Sequence, residues 1–369
     1  MKILLLGGTG TLSYEVLKQS LRKGYRVSIL NRGNNNSQLD SNVKTYIADL
    51  RCKNSVDKVL TEDSFDVIID FFSRTRQDII SLFPILSKRC RQYIFISSAC
   101  VYCRDKNNIT PITEETQKPN TLWDYNIHKY EAEQALIELI KNSSTYYTIV
   151  RPYITYNDAR IPLGLTPSYR YHRTIIERIR SGKPMFIWDE GTTYCTLTYN
   201  SDFAEALIGL FLNPKARNED FHITSDFRYT WREVLLTIYK ELNQTPNFVS
   251  IPTAKIAEIL PEYKGELTGD RSLNAIFSNR KIKEAVPNIE FKTSLEDGIK
   301  KILSFYENNT KYDYDYKYDA RIDKLLTILG IKNLHYIPYP NCDKKSHIIY
   351  NLYRYLPLKI ANRLVFITE

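Results

Sequence analysis

The sequence contains no long uncharged apolar segment, no dense set of cysteines, and no tract of one charge sign within its first 300 residues. A membrane-spanning helix needs about 18 to 20 consecutive apolar residues, and no segment approaches that length. The apolar run KILLL near the N-terminus is too short for a signal peptide and leads directly into glycines. We therefore expect a cytoplasmic protein without a membrane span.

Cysteine is scattered through the chain. Six cysteines in 369 residues are typical of a reduced intracellular protein and not of a disulfide framework. Cys100 and Cys103 form a C-x-x-C pair, but no second pair of Cys or His follows at the spacing of zinc ligands. A chance pairing is the better interpretation, and we predict no metal site.

The charge balance is modestly basic. The net charge is +9, but the basic residues are interspersed with acidic ones, and 43% hydrophobic and 25% charged residues are ordinary values for a globular enzyme. This pattern does not by itself indicate nucleic acid. An anionic small-molecule substrate explains the positive excess equally well.

Strand and helix patterns alternate through the first half of the chain. The segment KILLLGG is a continuous apolar run bounded by glycine, which is typical of a strand buried on both faces. Similar strands are predicted for residues 25–30, 43–49, 65–72, 91–98 and 146–154, with helical stretches between most of them. This alternation predicts an α/β fold with a doubly wound parallel (Rossmann) sheet.

The segment GGTGTLS lies between the first predicted strand and the first predicted helix. Glycines here let backbone N–H groups approach a phosphate, and the helix N-terminus adds partial positive charge. Ser13 takes a place where a small side chain lets helix and strand pack closely. The alternative is a tight structural turn. The predicted dinucleotide contacts in this loop are Gly7, Thr9, Gly10, Thr11 and Leu12.

Further cofactor contacts are predicted at the ends of the following strands. Asn31 and Arg32 follow the second strand, where a neutral residue and a guanidinium suit a ribose 2′-phosphate better than an acid would. Arg32 as a solvated loop residue is the alternative. Asp49, after the third strand, could accept from the adenine amino group. The remaining predicted contacts are Leu50, Phe71, Ser97 and Pro152.

A serine, a tyrosine and a lysine follow at positions that suit proton transfer. Ser98 ends the fifth predicted strand, and Tyr125 and Lys129 lie one turn apart on the next helix. Lys129 would hold the nicotinamide ribose and lower the pKa of the phenol. Tyr125 would exchange a proton with a sugar or alcohol oxygen, and Ser98 would hydrogen-bond that oxygen. A surface helix with a chance Y-x-x-x-K is the alternative.

With these motifs in order, the chain resembles the extended short-chain dehydrogenase/reductase family of nucleotide-sugar epimerases, dehydratases and reductases. The matching segments include GGTGTLS, NRG, ADL, ISSACVY, YNIHK and RPYITY, within about residues 1–305. The resemblance implies that Ser98, Tyr125 and Lys129 are catalytic and that Pro152 borders the nicotinamide. The chain is also distantly similar to chloroplast RNA-binding members of the family.

The resemblance leads to an expected function with open alternatives. The Asp-Glu pair of family 4,6-dehydratases is replaced by Ala99 and Cys100, so dehydration has no evident acid and base. We expect an NADP(H)-dependent reductase of a nucleotide-linked ketosugar, and a homodimer. The alternatives are an epimerase with tightly bound NAD and, in another class, an RNA- or partner-binding module on the same fold.

The second half of the chain is predicted to contain a substrate lobe. The dinucleotide-binding domain covers 1–160 and returns at 195–225; the lobe covers 161–194 and 226–307; a C-terminal extension covers 308–369. The lobe arginines are candidate contacts for a nucleotide-sugar diphosphate or solvated residues: Arg160, Arg170, Arg173 and Arg271. The extension is predicted as an extra helical layer or dimer contact, with a basic membrane-surface helix interrupted by Pro357 as the alternative.

Overall fold

The structure is a computed structural model that describes residues 1–36, 39–168, 171–309, 313–340 and 344–368. The chain forms two compact units. We call Met1–Thr155, Thr196–Arg228 and Asn274–Thr293 the sheet unit. We call Tyr156–Cys195, Tyr229–Leu273 and Ser294–Glu369 the lobe unit. The assignment of cofactor and substrate to these parts of the chain stays a prediction.

A seven-stranded sheet, parallel throughout, forms the centre of the sheet unit. Its order is β11-β6-β5-β4-β1-β2-β3, so the direction of winding reverses between β1 and β4. The carboxyl edge at such a reversal is where ligands bind in open α/β sheets. The strands are β1 (Lys2–Leu6), β2 (Arg26–Asn31), β3 (Lys44–Ile47), β4 (Phe65–Asp70), β5 (Cys90–Ile96), β6 (Tyr146–Pro152) and β11 (Glu219–Ile223).

Helices cover both faces of this sheet. Alternate residues of β1 face opposite ways: Ile3 and Leu5 join one apolar core, and Leu4 and Leu6 join the other. The first core includes α1, α6 and α10, and the second includes α2, α3 and α4. These helices are α1 (Ser13–Arg22), α2 (Lys53–Leu60), α3 (Arg76–Leu86), α4 (Asp124–Leu139), α6 (Asn200–Gly209) and α10 (Arg280–Ala285).

The predicted doubly wound sheet is confirmed, and all six predicted strands are present. The seventh, β11, was not predicted as a strand. Its sequence EDFHI is short and mostly polar, and it extends the sheet by pairing beside β6. Its polar side chains Asp220 and His222 are partly and fully buried against residues distant in sequence, which no local pattern indicates.

The lobe unit is mainly helical, with small strand pairs. β8 (Met185–Trp188) and β13 (Phe248–Ile251) are parallel, whereas β9 (Tyr194–Cys195) and β12 (Tyr229–Thr230) are antiparallel. Its helices are α5 (Arg173–Arg180), α7 (Trp231–Glu241), α8 (Thr253–Ile259), α9 (Lys264–Glu266), α11 (Leu295–Asn308), α12 (Tyr316–Ile328), α13 (Lys344–Tyr355) and α14 (Leu358–Thr368). Outside the large sheet, two further short strands pair with each other, β7 (Ile154–Tyr156) and β10 (Leu197–Tyr199).

The C-terminal extension is helical, as expected for an added helical layer. Two helices, α13 and α14, flank Pro357, where the sequence predicted an interruption. Within the described residues, no helix is both long and apolar enough to cross a bilayer.

Candidate active site

The loop between β1 and α1 has the backbone shape that glycine permits. Gly7 and Gly8 have φ of 106° and 108°, a region that L-residues with side chains rarely adopt. A Cβ on Gly8 would lie 2.6 Å from a methyl carbon of Ile29. The loop is therefore pressed against the neighbouring strand β2.

Ser13 holds this loop in place. Its Oγ accepts from the N–H of Gly8 at 3.2 Å and from the N–H of Gly10 at 3.0 Å. The residue is buried at the first position of α1. The sequence predicts only that a small side chain is needed at this position. The structure shows that the hydroxyl also fixes the turn. The predicted phosphate contacts Thr9, Thr11 and Leu12 lie in this loop, directly before the helix N-terminus.

The end of β2 carries one engaged and one unengaged polar side chain. The carboxamide of Asn31 accepts from the N–H of Gly33 and donates to Asn36 Oδ1, both at 2.8 Å, and so shapes the following turn. Arg32 is exposed, and no hydrogen bond or ion pair joins its guanidinium to any residue that the structure describes. Its donors are therefore available to a ligand.

The turn after β3 has a different arrangement. Asp49 is exposed, and its Oδ1 accepts from the N–H of Arg51 at 3.0 Å. Leu50 is buried in the core beside α2, so only its backbone could contact a ligand. The structure thus leaves one carboxylate oxygen of Asp49 for the predicted adenine contact.

The end of β4 is shaped by a buried carboxylate that sequence reasoning did not identify. Asp70 is fully buried and accepts from the N–H groups of Phe72 and Ser73, each at 2.8 Å, and from Tyr93 Oη at 2.5 Å. Burial next to Asp70 holds the pKa of Tyr93 well above its usual value. Phe71 is half-buried, and its Cβ lies 3.7 Å from a Cβ built on Gly7.

Ser97 and Ser98 follow β5, and their hydroxyls make different contacts. Ser97 Oγ donates to Glu133 Oε1 at 2.5 Å. Ser98 Oγ accepts from the N–H of Cys100 at 3.2 Å and caps a short helical turn at Ala99–Val101. That turn packs against α4. The hydroxyl proton of Ser98 remains available for a substrate oxygen.

Tyr125 and Lys129 both lie on α4, but their environments differ. Tyr125 is half-buried, and its ring centroid is 4.9 Å from that of Trp123. Lys129 is buried, and its Nζ donates to the carbonyl oxygens of Ser73 and Ile96, both at 2.8 Å. These carbonyls follow or end adjacent strands β4 and β5. Burial lowers the pKa of Lys129 to about 8, against the opposing effect of Asp70.

A buried ion pair fixes the other end of this helix face. Glu133 lies one turn beyond Lys129 and receives two hydrogen bonds from Arg151 on β6, at 2.8 and 2.7 Å. Both side chains are almost completely buried. Tyr125, Lys129 and Glu133 recur every four residues and share one face of α4. The spacing of Glu133 could have been read from the sequence, but its partner could not.

Arg151 extends this network toward β11. Its Nη1 donates to Tyr102 Oη at 2.9 Å and also contacts Asp220, which in turn receives a hydrogen bond from Lys281 at 3.1 Å. Asp220 is partly buried, but the charges of Arg151 and Lys281 outweigh that effect and hold its pKa below the usual value. Nearby, burial lowers the pKa of His222 to about 4. The predicted residue Pro152 ends β6 directly after Arg151.

The described lobe arginines differ in burial and in the protein contacts that their side chains make. Arg271 is buried, and its guanidinium contacts Asp270, Glu266 and the carbonyl of Gly164. It is therefore neither solvated nor free for a diphosphate. Arg173 is half-buried, with Nε 3.7 Å from Glu177. Arg160 is half-buried, and Arg170 lies outside the described residues.

The structure gathers the predicted sheet-unit residues at one edge. The glycine loop, Asn31, Phe71, Ser97 and Pro152 lie at or directly after the carboxyl ends of β1, β2, β4, β5 and β6. Cys100 and Cys103 are free thiols. Among the described residues, no group of three or more His, Cys, Asp or Glu is placed to hold a metal ion.

The chain is similar in sequence to two proteins of known name. The chloroplast stem-loop binding protein of 41 kDa b from Arabidopsis thaliana is 26% identical over 238 residues, covering 61% of this chain and 59% of that protein. The 2'-dehydrokanamycin reductase of Streptomyces kanamyceticus is 22% identical over 265 residues, covering 71% of this chain and 72% of the reductase. The chain thus spans less than two thirds of the chloroplast relative.

A solved structure and a family model extend the comparison. The UDP-glucose 4-epimerase of Thermotoga maritima, solved with UDP-glucose, superposes with a TM-score of 0.68 at 19% identity, covering 84% of this chain and all of that chain. This likeness shows the fold. Residues 3–224 match the model of the NAD dependent epimerase/dehydratase family. The resemblance that the motifs indicated is confirmed: the chain belongs to the NAD dependent epimerase/dehydratase family.

Proposed function

We propose that this protein is an NADPH-dependent reductase of a nucleotide-linked ketosugar. Membership of the family supports a nicotinamide cofactor and an oxidation or reduction at a sugar carbon. A relative of similar length is named as a reductase, 2'-dehydrokanamycin reductase, and several others are named as UDP-glucose 4-epimerases. Our choice between the reactions that these names suggest rests on the residues of the site.

The observation that carries the proposal is the position of the Lys129 ammonium. It is buried between the carboxyl ends of β4 and β5 and lies one turn from Tyr125. An ammonium has three N–H groups, and the carbonyls of Ser73 and Ile96 use two of them. The third can donate to a ribose hydroxyl, and the charge favours loss of the Tyr125 proton.

In this proposal each side chain has one task. The bound dinucleotide supplies the hydride. Tyr125 Oη donates a proton to the carbonyl oxygen of the sugar as that oxygen gains negative charge, and Ser98 Oγ donates a hydrogen bond to the same oxygen. Lys129 holds the ribose and keeps the phenol acidic.

The residues after β2 fit NADPH better than NADH. The adenosine 2′-phosphate is a dianion near neutral pH, and a carboxylate at position 31 would repel it. Asn31 is neutral and already shapes the turn, while Arg32 is exposed with available donors. NADPH is the usual donor for net reduction, which is why we place the reductase ahead of an epimerase that retains NAD.

Dehydration is not part of the proposal. The positions after Ser98 are Ala99 and Cys100, and both side chains are buried. Neither can serve as the carboxylic acid and carboxylate that elimination of water requires.

The experiment is a screen of nucleotide sugars and their 4-keto forms, followed by NADPH absorbance. We expect oxidation of NADPH with one or more keto substrates, reduced by about 10²- to 10⁴-fold in Tyr125→Phe because the proton donor is lost. NADPH affinity should remain unchanged. Tyr130→Phe, on the same helix, is the matched control. Near-normal turnover in Tyr125→Phe, or turnover without added cofactor and with copurified NAD, would contradict the reductase.

A second candidate function is RNA binding on the same fold, since one relative is named as a stem-loop binding protein. The test is filter binding of a stem-loop RNA at increasing salt. Salt-dependent RNA binding together with no turnover of any nucleotide sugar would favour this candidate over the reductase.

A further inference from the structure

The positive charge of the chain is concentrated near its C-terminus. Residues 324–368 contain seven Lys or Arg residues and a single acid, Asp343, which lies outside the described residues. Most of the +9 net charge therefore comes from this stretch. The two helices α13 and α14 contain five of the basic residues and no Asp or Glu.

One side of these two helices packs against the rest of the lobe unit. Tyr350 and Tyr353 of α13 and Ala361 of α14 are buried in an aromatic core that also contains Tyr316 of α12. Tyr350 Oη donates to Asp323 of α12 at 2.6 Å. The helix pair is therefore a fixed part of its unit, and its outward side is defined.

The outward side carries apolar side chains between basic ones. On α13, Ile348 and Tyr355 are 54% and 69% exposed and lie two turns apart, so they share a face. On α14, Ile360 and Leu364 are 48% and 38% exposed and lie one turn apart. The exposed basic residues beside them are Lys345, Lys359 and Arg363. We call these seven residues the basic-apolar face.

We propose that the basic-apolar face binds the surface of an anionic lipid bilayer. Exposed aliphatic and aromatic side chains flanked by Lys and Arg are the pattern of helices that lie in the interface plane. Each basic residue near an anionic leaflet is attracted to it, while its aliphatic stem can lie along the apolar region.

Charge complementarity favours lipid over other partners. A two-fold contact between copies would place this face against itself and bring like charges together without an acid on either helix. A nucleic acid would use the basic residues but would leave four exposed apolar side chains without a partner. A bilayer with anionic headgroups offers both negative charge and an apolar layer.

The experiment is flotation of the full chain with vesicles of phosphatidylcholine alone or with a third of phosphatidylglycerol. We expect binding to the anionic vesicles only. Lys345→Glu, Lys359→Glu and Arg363→Glu together should lower the partition coefficient by about a hundredfold or more, since each basic residue contributes about fivefold. Ile348→Ser with Ile360→Ser should lower it by about tenfold or more.

The matched control reverses three exposed lysines of the sheet unit, Lys23, Lys53 and Lys58, and should bind vesicles normally. All variants should have the same NADPH affinity and the same circular dichroism spectrum as the unmodified protein. Equal binding to neutral vesicles, or none to either, would overturn the proposal. The proposal would also be overturned if an RNA bound the Ile348→Ser, Ile360→Ser variant as tightly as the unmodified protein. That result would identify a nucleic-acid surface. Loss of a dimer in the variants by light scattering would identify contact between copies instead.

Discussion

Two clusters of buried charge, one chosen from each unit, differ in burial and in what lies beside them. In the lobe unit, Arg178 and Lys183 face Asp319 and Asp323, and all four side chains are nearly or fully buried. Each carboxylate contacts both cations at 2.5 to 2.8 Å. The charges cancel within the cluster.

The cluster of the sheet unit is open at one end. Arg151 is shared between Glu133, which is buried, and Asp220, whose side chain is 25% exposed. Ser97 donates to Glu133, Tyr102 accepts from Arg151, and Lys281 donates to Asp220 at 3.1 Å. Glu133 also lies on the helix face of Tyr125 and Lys129. The carboxylate of Glu133 therefore helps to raise the pKa of the predicted catalytic lysine, Lys129.

The difference teaches that buried ion pairs of similar geometry can have separate tasks. The lobe cluster joins α5 to α12 and so attaches the C-terminal extension. The sheet cluster joins α4 to β6 and also raises the pKa of Lys129 against the effect of burial. Mutations that break one pair in each cluster should separate stability from chemistry.

The largest effect is expected for Asp319→Asn in the lobe cluster. The change keeps the side-chain volume but leaves two buried cations with one carboxylate, and breaking a buried pair costs about 3–5 kcal/mol. Chemical denaturation should show this loss in the transition of the lobe unit, with NADPH affinity and its pH profile unchanged. Asp313→Asn, at an exposed position, is the control. A stability equal to that of the control would mean that the cluster does not anchor α12.

Glu133→Gln should have a smaller effect on stability and a distinct effect on cofactor binding. Arg151 keeps Asp220 and Tyr102, so we expect a loss of about 2–3 kcal/mol. Above a pH of about 8 the lysine loses its proton, and NADPH affinity should fall there in the unmodified protein. Without Glu133 the ammonium is less favoured, and this fall should move to lower pH.

The charged groups around Lys129 define the sign of that shift. Asp70, Glu133 and Asp78 raise its pKa, while burial and Arg74 lower it. Removing Glu133 therefore lowers the pKa, and an exposed control on the same helix, Glu131→Gln, should leave it unchanged. A pH profile of NADPH binding that is identical in Glu133→Gln would assign Glu133 a purely structural role.

The sequence predicts the sheet well because its central strands are apolar on both faces. KILLL and FDVIID need no knowledge of their neighbours to be recognised, since burial on two faces gives a continuous apolar run. The strand EDFHI is different. Its backbone pairs with β6, but its side chains Asp220 and His222 lie against Arg151 and Glu114, which are far away in the sequence. Local patterns could not show that such polar residues are buried.

The candidate site shows the same division. The glycine loop and the spacing of Tyr125 and Lys129 are local features, and the sequence predicts them. The partners of the buried groups are not local: Lys129 contacts the carbonyl of Ser73, 56 residues earlier, and Glu133 contacts Arg151, 18 residues later. The tertiary structure is therefore needed to identify the side chains that supply the charge around Lys129.

Arg32→Ala tests a charge that, unlike those of the two clusters, has no partner among the described residues. Its removal should leave the stability unchanged, because no ion pair is broken. A bidentate contact with a 2′-phosphate contributes about 1.5–3 kcal/mol, so NADPH affinity should fall by about ten- to a hundredfold. NADH affinity should not change, and Arg26→Ala, at the other end of β2, should affect neither. Calorimetry that finds NADH bound as well as NADPH in the unmodified protein would show that Arg32 points to solvent.

Ser97→Ala removes a neutral donor from the sheet cluster and should have the smallest effect. Glu133 Oε1 loses the hydroxyl of Ser97 but keeps the Nε of Arg151, so we expect a loss of about 1–1.5 kcal/mol in stability. The hydroxyl proton of Ser97 is directed at Glu133, so only the backbone of Ser97 is left for the predicted cofactor contact. NADPH affinity should accordingly stay within about threefold of the unmodified value, well below the about tenfold that loss of a hydrogen bond to a charged group can cost. Ser55→Ala on α2 gives the background of a serine deletion in the same unit. A large loss of affinity with unchanged stability would instead place the Ser97 hydroxyl on the cofactor and leave Glu133 held by Arg151 alone.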